Sequence, residues 1–138
     1  MFFLLREFSA IPVIGLFFSY FYRIYNLLYG ASIPLEVDIP KSTRFPHGIH
    51  GIFISKNAII GERITIYHQV TIGSNQTKGH KMFGAPKIGD DCLIGVGAKI
   101  IGNIIVGNNT NLGSNVSVAR DVPNNTTVVI GEHHFITR

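Results

Sequence analysis

Three features of this 138-residue chain predict a mainly β protein: a parallel β-helix of hexapeptide repeats with a short α-helical N-terminal region and one extruded loop. Ile88, Ile94, Ile100, Val106, Leu112 and Val118 fall at an interval of six. Four residues after each stand Cys92, Ala98, Ile104, Thr110, Val116 and Val122, and glycine follows four of the leading positions, at Gly89, Gly95, Gly107 and Gly113. The opening of the chain, by contrast, carries no such count and is rich in Phe, Tyr and Leu. A period of six fits neither the helical 3.6 nor a long alternation of two, so each repeat is a short strand and a turn. Three such strands close one triangular coil. The leading aliphatic points inward and stacks on its counterpart one coil away, while the fifth residue fills a corner and Gly or Asn supplies the positive-φ turn.

Taken in order, residues 1–31 form an apolar N-terminal region, 32–123 the β-helix with an extruded loop at about 74–87, and 124–138 a C-terminal tail. In the first region the longest uncharged run, Phe8 to Tyr22, contains Pro12 and Gly15. It is shorter than the ~20 apolar residues of a spanning helix. It also lacks the small-residue cleavage site that follows a signal peptide. We expect two short helices, broken near Pro12, that pack on the β-helix or between subunits. Contact with a membrane surface through Phe, Tyr and Arg side chains is the second reading.

The repeat opens at Ile33, Ile39 and Phe45, with Pro34, Pro40 and Pro46 where later coils use glycine. An end coil tolerates the lost backbone donors. From Phe45 to Ile54 the count slips by three residues, then resumes through Ile60, Ile66 and Ile72. From Ile72 to Ile88 it slips by ten, and the surplus SNQTKGHKMFGAP is polar and glycine-rich, so it leaves the wall as a loop. The pattern fades at Asn124 and Asn125.

Composition narrows the function. Charged residues are 14% of the chain and mean hydropathy is +0.28, so apolar surface is available for a partner. The net charge of +4 is spread along the chain, which argues against nucleic acid. Cys92 is the sole cysteine and falls at an inward fifth place, which leaves no disulfide or cysteine metal cluster and suits a reducing, cytoplasmic compartment. The cytoplasmic reading includes peripheral contact of the N-terminal region with the inner membrane face.

Two interruptions in a regular solenoid are where chemistry is expected, and both lie near histidines. His47 is two places after Phe45 and His68 two places after Ile66. Corrected for the three-residue bulge, Ile66 lies one coil above Phe45, so the two histidines share a column on one outer edge. Val96 and Ser114 continue that column upward and leave room for an extended ligand. His50 makes His-x-x-His with His47, but that spacing needs a helix to face both rings one way, so no metal site is expected. His80 lies in the loop; His133 and His134 carry no argument.

Several segments resemble the serine acetyltransferase family of left-handed β-helix acyltransferases. They are Phe45-Pro46-His47, Gly51 to Ile54, Ile66-Tyr67-His68-Gln69-Val70-Thr71-Ile72-Gly73, Pro86-Lys87-Ile88-Gly89, Ile94 to Ile104, and Asp121-Val122-Pro123. The resemblance covers about residues 32 to 130. It implies a left-handed coil and a homotrimer with acetyl-CoA lying in the groove between adjacent subunits. In that family His47 corresponds to the general base that takes the proton of an acceptor hydroxyl as it attacks the thioester, with His68 beside it. The pantetheine arm would run past backbone groups at Gly97, Ala98 and Ser114, with Lys87, Lys99 and Arg120 as phosphate partners.

Three departures bear on the acceptor. The orienting aspartate fifteen residues before the catalytic histidine is here Ser32, with Glu36 and Asp38 as candidates to replace it. A second family histidine before Pro86-Lys87 is Ala85, for which His80 could substitute if the loop folds back. The family's long N-terminal helical domain does not precede the repeat, and the tail reads Phe135-Ile136-Thr137-Arg138. These features resemble the short members tied to surface-polysaccharide synthesis. The expected function is therefore acetyl-CoA-dependent O-acetyl transfer to a sugar or surface glycan, ahead of L-serine. A non-catalytic trimeric β-helix scaffold and a metal-dependent carbonic anhydrase-like enzyme are the rivals from other classes.

Overall fold

The computed structural model describes residues 1–10 and 14–131. Helix α1 (Phe2–Ser9) and helix α2 (Gly15–Leu28) precede eleven short strands. These are β1 (Phe53–Ile54), β2 (Ile59–Ile60), β3 (Thr65–Ile66), β4 (Thr71–Gly73), β5 (Lys87–Ile88), β6 (Leu93–Ile94), β7 (Lys99–Ile101), β8 (Ile105–Val106), β9 (Asn111–Leu112), β10 (Ser117–Val118) and β11 (Thr127–Val128). Consecutive strands go to different sheets, so the chain winds around three parallel ladders. The first sheet is β1-β4-β7-β10, the second β2-β5-β8 and the third β3-β6-β9-β11.

Register follows from the hexad. Ile54, Ile72, Ile100 and Val118 stack in the first sheet, and Ile66, Ile94 and Leu112 in the third. All are buried, as are the fifth-place residues Cys92, Ala98, Ile104, Thr110 and Val116. Below β1 and β3 the pairs Ser32 with Phe53 and Arg44 with Thr65 continue the ladders across the bulge.

At two of the three corners positive-φ residues stack coil upon coil, while the first-to-second corner has Gly102 alone between β7 and β8. The second-to-third corner stacks Arg63, Asp91, Asn109 and Asn125, and the third-to-first corner stacks Gln69, Gly97 and Asn115. Gly97 leaves room there for the Asn115 side chain, whose Oδ1 would lie 2.2 Å from a Cβ.

The count does not end at residue 123. Val122, expected at a fifth place, instead pairs with Val106, and β11 pairs with β9, so the last coil is two residues shorter than those below it. The Asp121 carboxylate accepts the Ile105 N–H at 2.8 Å, so a side-chain oxygen serves that amide where the coil shortens.

The loop leaves between the first and second sheets and closes on itself. The Asn75 N–H donates to Gly84 O and the Gly84 N–H to Asn75 O, and Lys87 already belongs to β5.

The two helices pack on the first coil, as expected; the break at Pro12 lies outside the described residues. Phe2, Leu5 and Tyr22 are buried against the core. Buried Asn26 accepts the Ile33 N–H at 3.1 Å while the Tyr22 hydroxyl donates to Ile33 O at 2.8 Å. The guanidinium of Arg6 spreads over the carbonyls of Pro34, Leu35 and Val37. The other side of α2 exposes Leu16, Phe17, Tyr20, Leu27 and Leu28. Among the described residues no helix is long and apolar enough to cross a membrane.

Candidate active site

The sequence count placed His47 and His68 in one column, and the structure brings their rings together. His47 Nδ1 and His68 Nδ1 are 2.9 Å apart, with ring centroids at 5.0 Å. The centroids keep close to the ~4.8 Å spacing of neighbouring strands, and the rings are tilted by 40° with their Nδ1 atoms facing each other. His47 is exposed and His68 half-buried.

Each ring is held by its own coil. The Gly97 N–H donates to His68 O at 3.1 Å, which ties that corner to the coil above. The bulge carrying His47 is pinned at both ends: Arg44 sits in the third-sheet ladder, and the Gln69 N–H donates to His50 O at 2.8 Å. Between these anchors Ile49 is driven into the core with 1% exposure.

Aromatic side chains frame the pair, and sequence reasoning missed their part. Tyr67 stands edge-on to His47, centroids 5.4 Å apart. On the other side of the bulge Tyr29, beyond the C-terminus of α2, packs at a tilt against His50 at 4.5 Å and Tyr25 at 4.6 Å. Tyr29 also lies 3.4 Å from where a Cβ on Gly48 would stand. Burial and the neighbouring Tyr29 push the Tyr25 phenol above its ordinary value. The place of Tyr67 beside His68 was its one signal in the sequence.

The remaining candidates divide. Ser114 is exposed on the histidine edge, above half-buried Val96. Gly97 and Ala98 occupy that edge too, but Ala98 faces the core with no exposure, and the Gly97 carbonyl accepts the Lys99 ammonium at 2.6 Å. Lys99 also donates to Gln69 O at 3.0 Å, so its ammonium clamps two coils where a phosphate partner was expected.

Lys87 is exposed on the second sheet, and Arg120 lines a cavity of about 660 Å³ at the C-terminal end of the coil. Ser32 pairs with Phe53 on the first sheet. Glu36 and Asp38 are not brought to the histidines. They line a cavity of about 700 Å³ with Phe3, Arg6 and Glu7 at the N-terminal end, because the first coil turns them toward the second sheet. His80 does not fold back to the pair. Its Nδ1 accepts the Met82 N–H at 3.1 Å and contacts Asn75 Nδ2 at 3.2 Å, so the ring closes its own loop. Among the described residues no three His, Cys, Asp or Glu side chains converge as a metal group would need.

A three-sheet β-helix with exposed His47 and half-buried His68 paired on one edge is the architecture of a hexapeptide-repeat acyltransferase. The family described as "Bacterial transferase hexapeptide (six repeats)" matches residues 85–120. Serine acetyltransferase of Staphylococcus aureus is 37% identical over 114 residues, covering 83% of this chain and 52% of the relative. That of Staphylococcus epidermidis is 41% identical over 108 residues, 78% of this chain and 49% of the relative. Among solved structures, serine acetyltransferase isoform 3 of Entamoeba histolytica in complex with cysteine superposes with a TM-score of 0.78 at 27% identity, over 98% of this chain and 49% of that one. The Neisseria gonorrhoeae serine acetyltransferase gives 0.76 at 28% identity, over 98% and 51%. The chain thus spans about half the length of the curated relatives it matches. It belongs to the serine acetyltransferase family of hexapeptide-repeat acyltransferases.

Proposed function

We propose that this chain is an acetyl-CoA-dependent O-acetyltransferase with His47 as its general base. The observation that carries the reading is the exposed His47, in contact with His68, on an edge whose upper column is half-buried Val96 and exposed Ser114. His47 Nε2 takes the proton of the acceptor hydroxyl as its oxygen attacks the thioester carbonyl. The tetrahedral oxyanion then collapses, coenzyme A thiolate leaves, and the imidazolium returns the proton to it. Hydrogen-bond donors are needed where the oxyanion develops. The column is long and free of bulky side chains, which fits an extended pantetheine arm.

The relatives' names put L-serine first among acceptors, ahead of the sugar hydroxyl that the short chain suggested. One observation keeps the sugar as the second reading. Ser32 replaces the aspartate expected beside the catalytic histidine, Glu36 and Asp38 line the cavity at the N-terminal end, and neither ring has a carboxylate hydrogen-bond partner among the described residues. An orienting carboxylate would serve any acceptor, but the ammonium group of serine calls for a carboxylate of its own near the histidines, which a neutral sugar does not.

A homotrimer with sites between subunits belongs to the same proposal. Ile59 and Ile105, each 55% exposed, flank Lys87 on the outer face of the second sheet, an apolar strip suited to a neighbouring coil. Light scattering of the purified protein gives the mass that checks it.

The functional test is thiol release from acetyl-CoA by wild type and His47→Ala, with L-serine and a panel of sugars as acceptors. Acceptor-dependent release that falls about 10²–10⁴-fold in the variant, with the assembly unchanged, is expected. Release that is indifferent to His47, or no release alongside no binding of acetyl-CoA, would replace this reading with the scaffold.

A further inference from the structure

We propose that His68 is the positioning residue of this site: it takes the place of an orienting carboxylate and shares one proton with His47 between their two Nδ1 atoms. The proposal rests on the acyl-transfer reading of the same edge.

Two imidazole nitrogens at 2.9 Å hold one proton between them. With a proton on each, two N–H groups would collide; with none, two lone pairs would face each other. In the neutral pair, then, one ring is protonated at Nδ1 and the other only at Nε2. His47 is the exposed ring and His68 the half-buried one, so the ring that meets a hydroxyl from solvent is His47. This assigns His47 as the Nδ1–H donor with a free lone pair at Nε2, and His68 as the acceptor with its proton at Nε2. The edge then offers a free base at His47 Nε2, the group that hydroxyl attack on a thioester needs, with the ring held in place through its Nδ1–H.

The surroundings leave this duty to His68. Tyr67 meets His47 edge-on, His50 packs against Tyr29, and the Lys99 ammonium is bound to Gln69 O and Gly97 O. No carboxylate among the described residues hydrogen-bonds either ring.

When His47 takes the acceptor's proton, the new imidazolium keeps its Nδ1–H donated to neutral His68, and that hydrogen bond steadies the charge on His47 during transfer. A second proton on the pair sets two N–H groups face to face and breaks the contact.

Asparagine supplies the discriminating substitution, because its Oδ1 sits on Cγ as the histidine Nδ1 does. His68→Asn keeps an acceptor at that place but cannot take a proton; His68→Leu removes the acceptor. The experiment uses the full chain labelled with ¹⁵N-histidine. We expect a scalar coupling between the two Nδ1 nuclei, His47 protonated at Nδ1, and loss of the coupling as the pH is lowered. His68→Leu should lower kcat on the order of 10–100-fold, the range seen when a histidine's hydrogen-bond partner is removed from a metal site. It should leave KM for acetyl-CoA nearly unchanged, and His68→Asn should recover most of the loss.

Thiol release by a wild type with no coupling and with His47 protonated at Nε2 would overturn the proposal alone, as would His68→Asn as slow as His68→Leu. Coupling without thiol release from any acceptor would overturn the acyl-transfer reading and the positioning role with it.

Discussion

Replacing Arg6 tests how the N-terminal helices hold the coil. Its guanidinium donates to Pro34 O at 2.9 Å and Leu35 O at 3.2 Å, and to Val37 O, while its face lies over the rings of Phe2 and Tyr22. Those carbonyls belong to the first turn of the first coil, which has no coil below it to supply donors. A hydrogen bond from a charged donor contributes about 1.5–3 kcal/mol. Arg6 is only half-buried, so water can reach part of the vacated space and each bond is better set near ~1 kcal/mol. Arg6→Ala should therefore cost about 3 kcal/mol, or roughly 10 °C in Tm for a chain of this size. Circular dichroism melts at matched protein concentration read this directly. Arg6→Lys should recover less than half, since one ammonium cannot span all three oxygens. Below the melting range, thiol release should be unchanged, because this turn faces the second sheet and not the histidine edge. A Tm within about 2 °C of wild type would refute the reasoning.

Two further predictions concern titration. Arg63 grips both carboxylate oxygens of Asp91 at 2.6 and 2.7 Å, which holds the Asp91 pKa below its ordinary value and raises that of Arg63. A lowered carboxylate pKa adds stability that is fully present above the unfolded value and is lost as pH falls through the folded one. The Tm difference between wild type and Asp91→Asn should thus be present at neutral pH, vanish in acid below the ordinary carboxylate range, and shrink with added salt, since both groups are exposed. Burial is the main cause that raises the Cys92 thiol pKa, and its Sγ contacts Gly107 O at 3.2 Å. A disulfide reagent at pH 8 should leave it unmodified in native protein and titrate one thiol after denaturation; rapid native reaction would contradict its place in the core.

Much of the coil was legible because each hexad position has one direction. A residue that leads a repeat must point inward, and the ladder then fixes which residues share a column, which is how His47 and His68 could be paired without coordinates. The shortened last coil was not legible, since a side-chain oxygen on Asp121 there serves a backbone amide and no residue type announces that exchange. Arg63, Gln69 and Asp91 hold positive φ that the sequence assigned to Gly and Asn, because the stacked corner imposes the turn on whatever residue falls there. The clamp made by Lys99 was not legible for a related reason: its place suggested a phosphate partner, and no spacing says that the carbonyls of two adjacent coils lie within reach of its ammonium. Tyr29 takes its place from the packing of α2 against the bulge, a contact no spacing rule encodes.

The bulge is where stability and chemistry are joined, through Ile49. A regular coil would carry His47 at the ladder's own spacing; the three extra residues instead form a turn whose backbone is free of the ladder between Phe45 and His50. Such a turn needs an anchor, and the Ile49 side chain, buried at 1%, is the apolar one. Ile49→Ala should cost about 2–5 kcal/mol, as buried aliphatic truncations do. Ile104, with no exposure, lies at the first-to-second corner away from the histidines, and Ile104→Ala should cost a similar amount. If Ile49 sets the direction of His47, thiol release measured well below both melting points should fall in Ile49→Ala and hold in Ile104→Ala. It should fall in kcat more than in KM for acetyl-CoA, because the base moves while the column of Val96 and Ser114 does not. Equal retention in both variants would mean that the hydrogen bond from Gln69 to His50 is anchor enough, and that Ile49 serves the core alone.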